Sequence, residues 1–194
     1  MPGTLASWRD AAVLLIDHQV GTMSWVHSIP VDEMKRNAVM LAKTASILKL
    51  PVVLTSSMED QAQGPLMSEL AEILPNEFRA RIQRAGIVNA MNDDRFAAAV
   101  KATGRKTLIV AGVTNDVCTV FPTLTLLDQG YDVVVVADAG GSPSKAGDQL
   151  ALARMERAGA TLVGTNQVLA GLAGDWSTPE GSEIVTVIGA SLQA

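Results

Sequence analysis

The sequence contains only one cysteine and two histidines among its 194 residues, and aromatic residues make up 4%. One cysteine cannot form an internal disulfide, so the chain is not stabilised by the disulfides that small secreted domains use. A free thiol suits a reducing compartment, and we expect a cytoplasmic protein. With only His18 and His27, and no cluster of aspartates and histidines, the sequence offers no metal site.

Runs of basic residues and long apolar runs are also missing. The formal net charge is -5, whereas nucleic-acid binding needs concentrated positive charge to neutralise phosphates. The first apolar stretch, 11–16, is far too short to span a bilayer, and no basic segment of a signal peptide precedes it. We therefore expect neither a nucleic-acid partner nor a membrane partner.

Glycine-rich phosphate-binding motifs are absent as well. No GxGxxG follows the first apolar run, where the sequence reads DHQVGTMS. The segment GRKT at 104–107 lacks the earlier glycine of a phosphate loop and precedes a strand, so it is predicted to be the turn that ends a helix. We expect no nucleotide and no other cofactor.

What the sequence does contain is an alternation of short apolar runs with segments of helical period, which is typical of repeated βαβ units. Continuous runs such as LIVAGV and DVVVVAD predict strands covered on both faces. The glycines and prolines are scattered, so no linker divides the chain. We predict a single α/β domain over 1–194: a Rossmann-like, three-layer αβα sandwich around a central, mostly parallel sheet. The predicted strands are 11–16, 52–55, 108–113, 133–137 and 161–164, and the predicted helices are 32–48, 65–74, 93–103, 117–129 and 144–158.

The chain changes character from about residue 175, where Trp176 and Pro179 lead into the apolar segment EIVTVIGASLQA. Two interpretations remain open for this tail. It is either an added edge strand or an arm that packs on a neighbouring subunit.

Two reactive residues fall where strands lead into helices. Asp17 directly follows AAVLLI, and Cys118 lies a few residues after LIVAGV. Open α/β sheets bind ligands beyond the carboxyl ends of their strands. A thiol at a helix N-terminus faces free N–H groups and the positive end of the helix dipole, so we expect thiolate character. The alternatives are a buried cysteine that acts as a small hydrophobe and an aspartate that serves a cap or turn.

Three segments in order resemble one enzyme family. LLIDHQVG is similar to the first-strand motif of the isochorismatase-like, or cysteine hydrolase, superfamily, and IVAGVTNDVCTVFPTLTLLDQGYDVVVVADA is similar to its core motif. IVNAMNDDRFAAAVKATGRKTLIVAGV matches the segment ahead of the nucleophile, and the YcaC-like subgroup fits best, over about 11–173. The resemblance implies a catalytic triad of Asp, Lys and Cys.

Asp17 and Cys118 match that triad as proton shuttle and nucleophile. The lysine position falls on Arg84, with Arg79 and Arg81 competing for the alignment. Arginine keeps a positive charge near the thiol but cannot donate a proton at ordinary pH. Arg84 could therefore still stabilise negative charge in the site, although it departs from the family pattern. It could not replace lysine in proton transfer.

Further site residues follow from the resemblance. A cis peptide is implied between Val113 and Thr114, and the backbone N–H groups of Thr114 and Cys118 would then bind a developing oxyanion. Gln19 resembles a pocket residue. The subgroup often has Thr and Glu where this chain has Asn115 and Asp116, a difference expected to alter substrate contacts. The aromatic residues that could line an apolar pocket, with core or subunit contacts as alternatives, are Phe121, Trp25 and Trp176.

These residues predict a hydrolase that cleaves an amide-type C–N bond of a small molecule through a thioester on Cys118. Nothing in the sequence ranks the substrates. One alternative is a redox or electrophile sensor based on a low-pKa thiol, and another is a family member that has lost activity because Arg84 replaces lysine. The resemblance also implies a homo-oligomer, in the form of an octamer of stacked rings.

Overall fold

The computed structural model describes residues 10–192, apart from the side chain of Leu192. The predicted domain, 1–194, also includes 1–9 and 193–194, which lie outside the described residues. Among the described residues no helix is both long and apolar enough to cross a bilayer.

The centre of the molecule is a parallel six-stranded sheet with the strand order β3-β2-β1-β4-β5-β6. Its two central strands pair from Ala11 opposite Thr107 to Ile16 opposite Gly112. Every residue of β1 is fully buried, as a strand covered on both faces must be. The predicted three-layer α/β fold is thus confirmed. The strands are β1 (Ala11–Ile16), β2 (Val52–Ser57), β3 (Ile82–Arg84), β4 (Thr107–Gly112), β5 (Asp132–Val136) and β6 (Thr161–Val163).

Helices cover both faces of the sheet. Alternate residues of β1 enter two separate cores: Leu15 packs with Leu41 on one face, and Leu14 packs with Phe96 on the other. The α-helices are α1 (Val20–Ser24), α2 (Val31–Ile47), α3 (Ser68–Ile73), α4 (Pro75–Arg79), α5 (Asp94–Ala102), α6 (Val120–Asp128), α7 (Lys145–Arg157), α8 (Thr165–Ala173) and α9 (Pro179–Leu192).

Local capping explains where two of the predicted helices begin. The Asp93 carboxylate accepts hydrogen bonds from the N–H groups of Arg95 and Phe96 at the start of α5. The Ser144 hydroxyl accepts one from the N–H of Gly147 in α7. Each cap satisfies a backbone donor that the first helical turn leaves free.

Strand β3 was not predicted from the sequence, because it has only three residues and no apolar run.

The tail forms a helix, and the predicted edge strand is therefore wrong. Helix α9 packs on α2 and α8 of its own chain, with Ile184 fully buried between them. Its apolar residues recur at helical spacing, so they cover the core side of α2 rather than extend the sheet. Val185 is left 46% exposed. An additional contact of this helix with another subunit stays a prediction.

Candidate active site

The carboxyl ends of neighbouring strands bring the predicted catalytic residues together. Asp17 follows β1 and its backbone N–H donates to the carbonyl of Thr55 in β2, at 2.9 Å. Arg84 is the last residue of β3, on the far side of β2. Cys118 follows β4, the other neighbour of β1. A parallel sheet thus delivers three distant segments to one edge.

Asp17 and Arg84 form a buried ion pair. Nη2 of Arg84 donates to Oδ1 of Asp17 at 2.5 Å and also to Oδ2. The two side chains are only 1% and 2% exposed. The structure therefore brings the arginine that replaces the family lysine into direct contact with the predicted proton shuttle.

The rest of the Arg84 guanidinium is also occupied. Nε donates to the hydroxyl of Thr55 at 3.0 Å, and Nη1 donates to the carbonyl of Ile87. The Thr55 hydroxyl in turn donates to the carbonyl of Ile82. Thr55 was missed by the sequence analysis, because its role depends on β3 lying beside β2.

Arg79 and Arg81, which competed with Arg84 for the predicted lysine position, lie elsewhere. Arg81 makes two hydrogen bonds to the Glu59 carboxylate, at 2.7 and 2.8 Å. These hydrogen bonds hold the pKa of Glu59 at about 2. Arg79 donates to the side chain of Asn76. Of the three candidates, only Arg84 contacts Asp17.

Cys118 lies in a π-helical turn, Asn115–Thr119, that directly precedes α6. The peptide bond between Val113 and Thr114 is cis. The backbone N–H of Thr114 is directed at the Cys118 thiol, and the Thr114 carbonyl accepts from the N–H of Thr119 at 3.0 Å. The thiol thus shares its surroundings with a backbone donor, and an oxyanion site at Thr114 and Cys118 stays a prediction.

The surroundings of the Cys118 thiol act on its pKa in both directions. Burial of the sulfur raises the pKa of Cys118, and the nearby negative charge of Asp17 raises it further. The Thr114 N–H and the Arg84 charge act in the opposite direction and do not offset these effects. Burial and the Asp17 charge thus oppose the thiolate character expected from the helix N-terminus, and that expectation stays a prediction.

Burial also raises the pKa of Asp17, against the opposing charge and hydrogen bonds of Arg84. A raised pKa makes a carboxylate a stronger base. The thiol and the carboxylate interact with each other in this arrangement. Together they form an acid–base pair in which burial disfavours the charged form of each group.

A polar network anchors the turn that carries Cys118. Oδ1 of Asp148, in α7, accepts from the side chain of Asn115 at 3.0 Å and from the hydroxyl of Ser142 at 2.8 Å. Oγ of Ser142 accepts from the N–H of Asp116 at 3.2 Å. The Asn115 amide also donates to the carbonyl of Ala137. These contacts link α7 to the turn.

A cavity of about 280 Å³ opens over these groups. Its floor contains Asp17, Arg84 and Cys118, and its rim is largely apolar. The volume is near the lower end of the range for small-molecule sites. The apolar residues of the rim are Trp25, Met58, Ile87, Val88, Val117 and Pro143.

The other predicted pocket residues divide into two groups. Gln19 and Trp25 line the cavity, but the Gln19 amide is already bonded to the backbone of Ser57 and to the carbonyl of Gly64. Asn115 faces the Asp148 network, and Phe121 lies under the guanidinium of Arg154, with 5.8 Å to the ring centre. Neither Asn115 nor Phe121 lines the cavity, so a substrate contact for them stays a prediction.

The apolar rim was mostly missed. Met58, Ile87 and Val88 lie in loops that follow β2 and β3. The only signal in the sequence was the short apolar pair of Ile87 and Val88 after Gly86, which does not by itself indicate a pocket.

His18 is fully buried beneath the site, where its Nε2 is hydrogen-bonded to the carbonyl of Ala139.

Within residues 10–192 no three side chains of His, Cys, Asp or Glu converge as a metal site would require.

The chain is similar to known proteins over most of its length. The sequence pattern of the isochorismatase domain matches residues 11–167. The probable hydrolase YcaC of Escherichia coli K12 is 42% identical over 168 residues, which cover 87% of this chain and 80% of that protein. Isochorismatase domain-containing protein 2 of Xenopus laevis is 28% identical over 93% of this chain and 84% of its own length.

Solved structures of YcaC proteins share the fold. YcaC from Pseudomonas aeruginosa, solved with hexane-2,5-diol and covalent acrylamide, superposes with a TM-score of 0.89 at 42% identity, covering 96% of this chain and 93% of that one. E. coli YcaC, described as an octameric hydrolase of unknown specificity, superposes with a TM-score of 0.86 at 39% identity over 96% and 88% of the two chains. The chain therefore belongs to the isochorismatase-like hydrolase family.

Proposed function

We propose that the protein is a cysteine amidohydrolase that cleaves the C–N bond of a small amide through a thioester on Cys118. One observation carries the proposal: a thiol, a carboxylate and a guanidinium meet at the floor of one small cavity. A nucleophile, its base and a group that orients the base are the minimum set for covalent acyl transfer.

The first step is proton transfer. The Asp17 carboxylate takes the thiol proton as sulfur attacks the carbonyl carbon of the substrate, so that no stable thiolate needs to accumulate. This order suits a thiol whose pKa is raised and a carboxylate whose pKa is raised with it. The proton remains within the pair.

The attack converts the carbonyl oxygen into an oxyanion. The backbone N–H groups of Thr114 and Cys118 would donate to it, as fixed donors that need no rearrangement during the reaction. When the C–N bond breaks, protonated Asp17 returns its proton to the leaving nitrogen. The products of this half-reaction are an amine or ammonia and a thioester on Cys118.

Water completes the cycle. Asp17, again a carboxylate, removes a proton from water as the water oxygen attacks the thioester carbonyl. The C–S bond breaks, sulfur recovers the proton from Asp17, and a carboxylic acid leaves. Each proton removed from the thiol or from water is thus returned through one carboxylate.

Arg84 would act by orienting and stabilising the Asp17 carboxylate, through the hydrogen bonds to both oxygens. It does not transfer a proton, because the guanidinium stays protonated at ordinary pH. Arg84 is a positioning residue in this scheme. Its contact with Asp17 argues against loss of activity through replacement of the family lysine.

One relative supports a small amide as the size of ligand. The P. aeruginosa YcaC structure contains a covalent acrylamide, which is a small primary amide. A cavity of about 280 Å³ suits a molecule of that size. A sensor function based on a low-pKa thiol is less well supported, because the pKa of Cys118 is raised.

Ammonia release from a panel of small primary amides, ureido acids and carbamoyl compounds tests the proposal. We expect turnover of at least one compound by the parent protein and none by Cys118→Ala, with equal far-ultraviolet circular dichroism. Mass spectrometry of the parent after rapid acid quench should detect the acylated cysteine. Turnover by Cys118→Ala at the parent rate would contradict the proposal.

We further propose a homo-oligomer in the cytoplasm, with an octamer as the specific expectation. E. coli YcaC is described as octameric. Several large apolar side chains are exposed on the isolated chain, and they include Phe121 and Trp176. Light scattering coupled to size-exclusion chromatography gives the subunit number directly, and a monomer at micromolar concentration would contradict this expectation.

A further inference from the structure

We propose that the cavity selects uncharged amides with a small apolar acyl group and discriminates against amides that carry a carboxylate. This inference concerns the substrate class, and it rests on the proposed function for the reaction itself. The sequence could not rank ureido acids, carbamoyl compounds and simple amides. The charges around the cavity distinguish them.

Arg84 is the single cationic residue among the described residues that line the cavity. Its side chain is only 1% exposed, and it donates to Asp17, Thr55 and the Ile87 carbonyl. A substrate carboxylate would have to displace Asp17 from this guanidinium. The cation is therefore not accessible to a second anion.

The rest of the lining adds negative charge. Two aspartates, Asp17 and Asp116, line the cavity together with the one arginine. Oδ1 of Asp116 is buried and has no hydrogen-bond partner within the described chain. Asp116 thus adds uncompensated negative charge beside the cavity, and an anionic ligand would lose its own hydration without gaining a counter-ion.

Backbone donors do not change this conclusion. The N–H groups of Thr114 and Cys118 would be occupied by the carbonyl oxygen that becomes the oxyanion. A carboxylate elsewhere on the same substrate would need further donors, and the remaining wall toward solvent is mainly apolar. Trp25 and Val88, for example, are 43% and 55% exposed at the rim.

A matched pair of alkylating reagents tests the charge selectivity separately from hydrolysis. Iodoacetamide is uncharged and iodoacetate is anionic, and with either reagent a C–S bond forms at Cys118, the C–I bond breaks, iodide leaves and the thiol proton is released. Cys118 is the one cysteine of the chain, so intact mass reports its modification without ambiguity.

The quantity compared is the ratio of the two alkylation rates at one pH, divided by the same ratio for the chain unfolded in urea. Because both reagents attack the same sulfur, its degree of ionisation cancels. We expect the folded protein to favour iodoacetamide by about tenfold or more beyond the unfolded chain. A normalised ratio near one, or a preference for iodoacetate, would overturn the inference.

Two variants assign the selectivity to the cavity. Asp116→Asn should reduce the normalised ratio severalfold, since it removes the unpaired carboxylate. Asp128→Asn changes the net charge equally at an exposed position at the end of α6 and should leave the ratio unchanged. Equal effects of both variants would point to the net charge of the molecule and overturn the inference.

Hydrolysis gives the second readout. Butyramide and succinamate have acyl chains of similar length, and only succinamate carries a carboxylate. The inference predicts a higher kcat/KM for butyramide, whereas faster hydrolysis of succinamate would overturn it with the amidohydrolase proposal intact. Selective alkylation by iodoacetamide without turnover of any amide would support the charge selectivity and overturn the proposed hydrolase.

Discussion

Arg84 donates hydrogen bonds to both carboxylate oxygens of Asp17, and neither side chain is more than 2% exposed. Such a pair links stability to function. Each side chain can be buried because the other compensates its charge, and Asp17 is the proposed base. Removing either partner leaves an uncompensated charge in the core.

We predict that Arg84→Met lowers the free energy of unfolding by about 3–5 kcal/mol, because the Asp17 charge loses its buried partner. Urea denaturation measures this change. Lys35→Met is a matched control, since it removes the surface pair with Glu69, whose side chains are 40% and 33% exposed, and should cost less than about 1 kcal/mol. A double variant, Asp17→Asn with Arg84→Met, should recover part of the loss. Equal small effects of Arg84→Met and Lys35→Met would contradict the prediction.

Arg84→Lys separates charge from geometry. Lysine keeps the positive charge but cannot donate to Asp17, Thr55 and the Ile87 carbonyl at once. We expect a smaller loss of stability than in Arg84→Met, together with detectable amide turnover. Activity that appears only in Arg84→Lys, and not in the parent, would instead indicate that the natural arginine has cost the protein its function.

The titration of Cys118 should depend on Asp17. Burial and the Asp17 charge raise the pKa of the thiol, so alkylation by iodoacetamide should continue to accelerate with pH beyond the range in which the unfolded chain levels off. Asp17→Asn removes the negative charge and should move the pH profile to lower pH. The same variant should abolish hydrolysis, because the base is lost. Thiolate absorbance in the ultraviolet gives an independent titration, and an unchanged profile in Asp17→Asn would count against the pairing.

His18 should make the protein less stable in acid. Burial lowers its pKa from 6.5 to about 4, so the folded protein holds it neutral where the unfolded chain binds a proton. The unfolded state therefore binds more protons between these values, and stability falls as the pH drops from 6.5 toward 4, by about 3 kcal/mol at most. Above pH 6.5 this contribution is constant.

Urea denaturation across that pH range measures the effect as a slope. His18→Gln should flatten the fall in stability, whatever its effect at neutral pH. The comparison is made between variants because carboxylates such as Asp17, whose pKa is raised, contribute with the opposite sign in acid. Identical slopes in the parent and His18→Gln would show that the imidazole is not the cause.

Asp148 should act as a positioning residue for Cys118. Its carboxylate accepts from Asn115 and Ser142, and these residues hold the turn that carries the nucleophile. We predict that Asp148→Ala lowers kcat by roughly tenfold or more with a smaller change in KM, since a displaced nucleophile affects the reaction more than binding. Asp148→Asn keeps an accepting oxygen and should restore most of kcat. Similar losses in both variants would indicate that charge, and not the accepting oxygen, is required.

The residue sequence alone was sufficient to predict the parallel core and the position of two reactive groups. β1 and β4 are continuous apolar runs, and such runs predict strands buried on both faces. Asp17 follows β1 directly and Cys118 lies a few residues after β4, and parallel strands end at the same edge of the sheet. These features depend on local patterns and on one rule of topology, so they can be read from the chain.

Tertiary structure decided how those groups interact. Arg84 could not be distinguished from Arg81 by sequence, because β3 is too short to carry a pattern and its pairing with β2 is a long-range contact. The raised pKa of the Cys118 thiol was likewise unpredictable, since it depends on burial and on the charge of Asp17 across the sheet. The tail was open between an added edge strand and an arm on a neighbouring subunit, and its helix packs on α2 of its own chain. The burial of a group and the electrostatic effects on it depend on all the residues that surround it in space. Only the folded chain determines which residues these are.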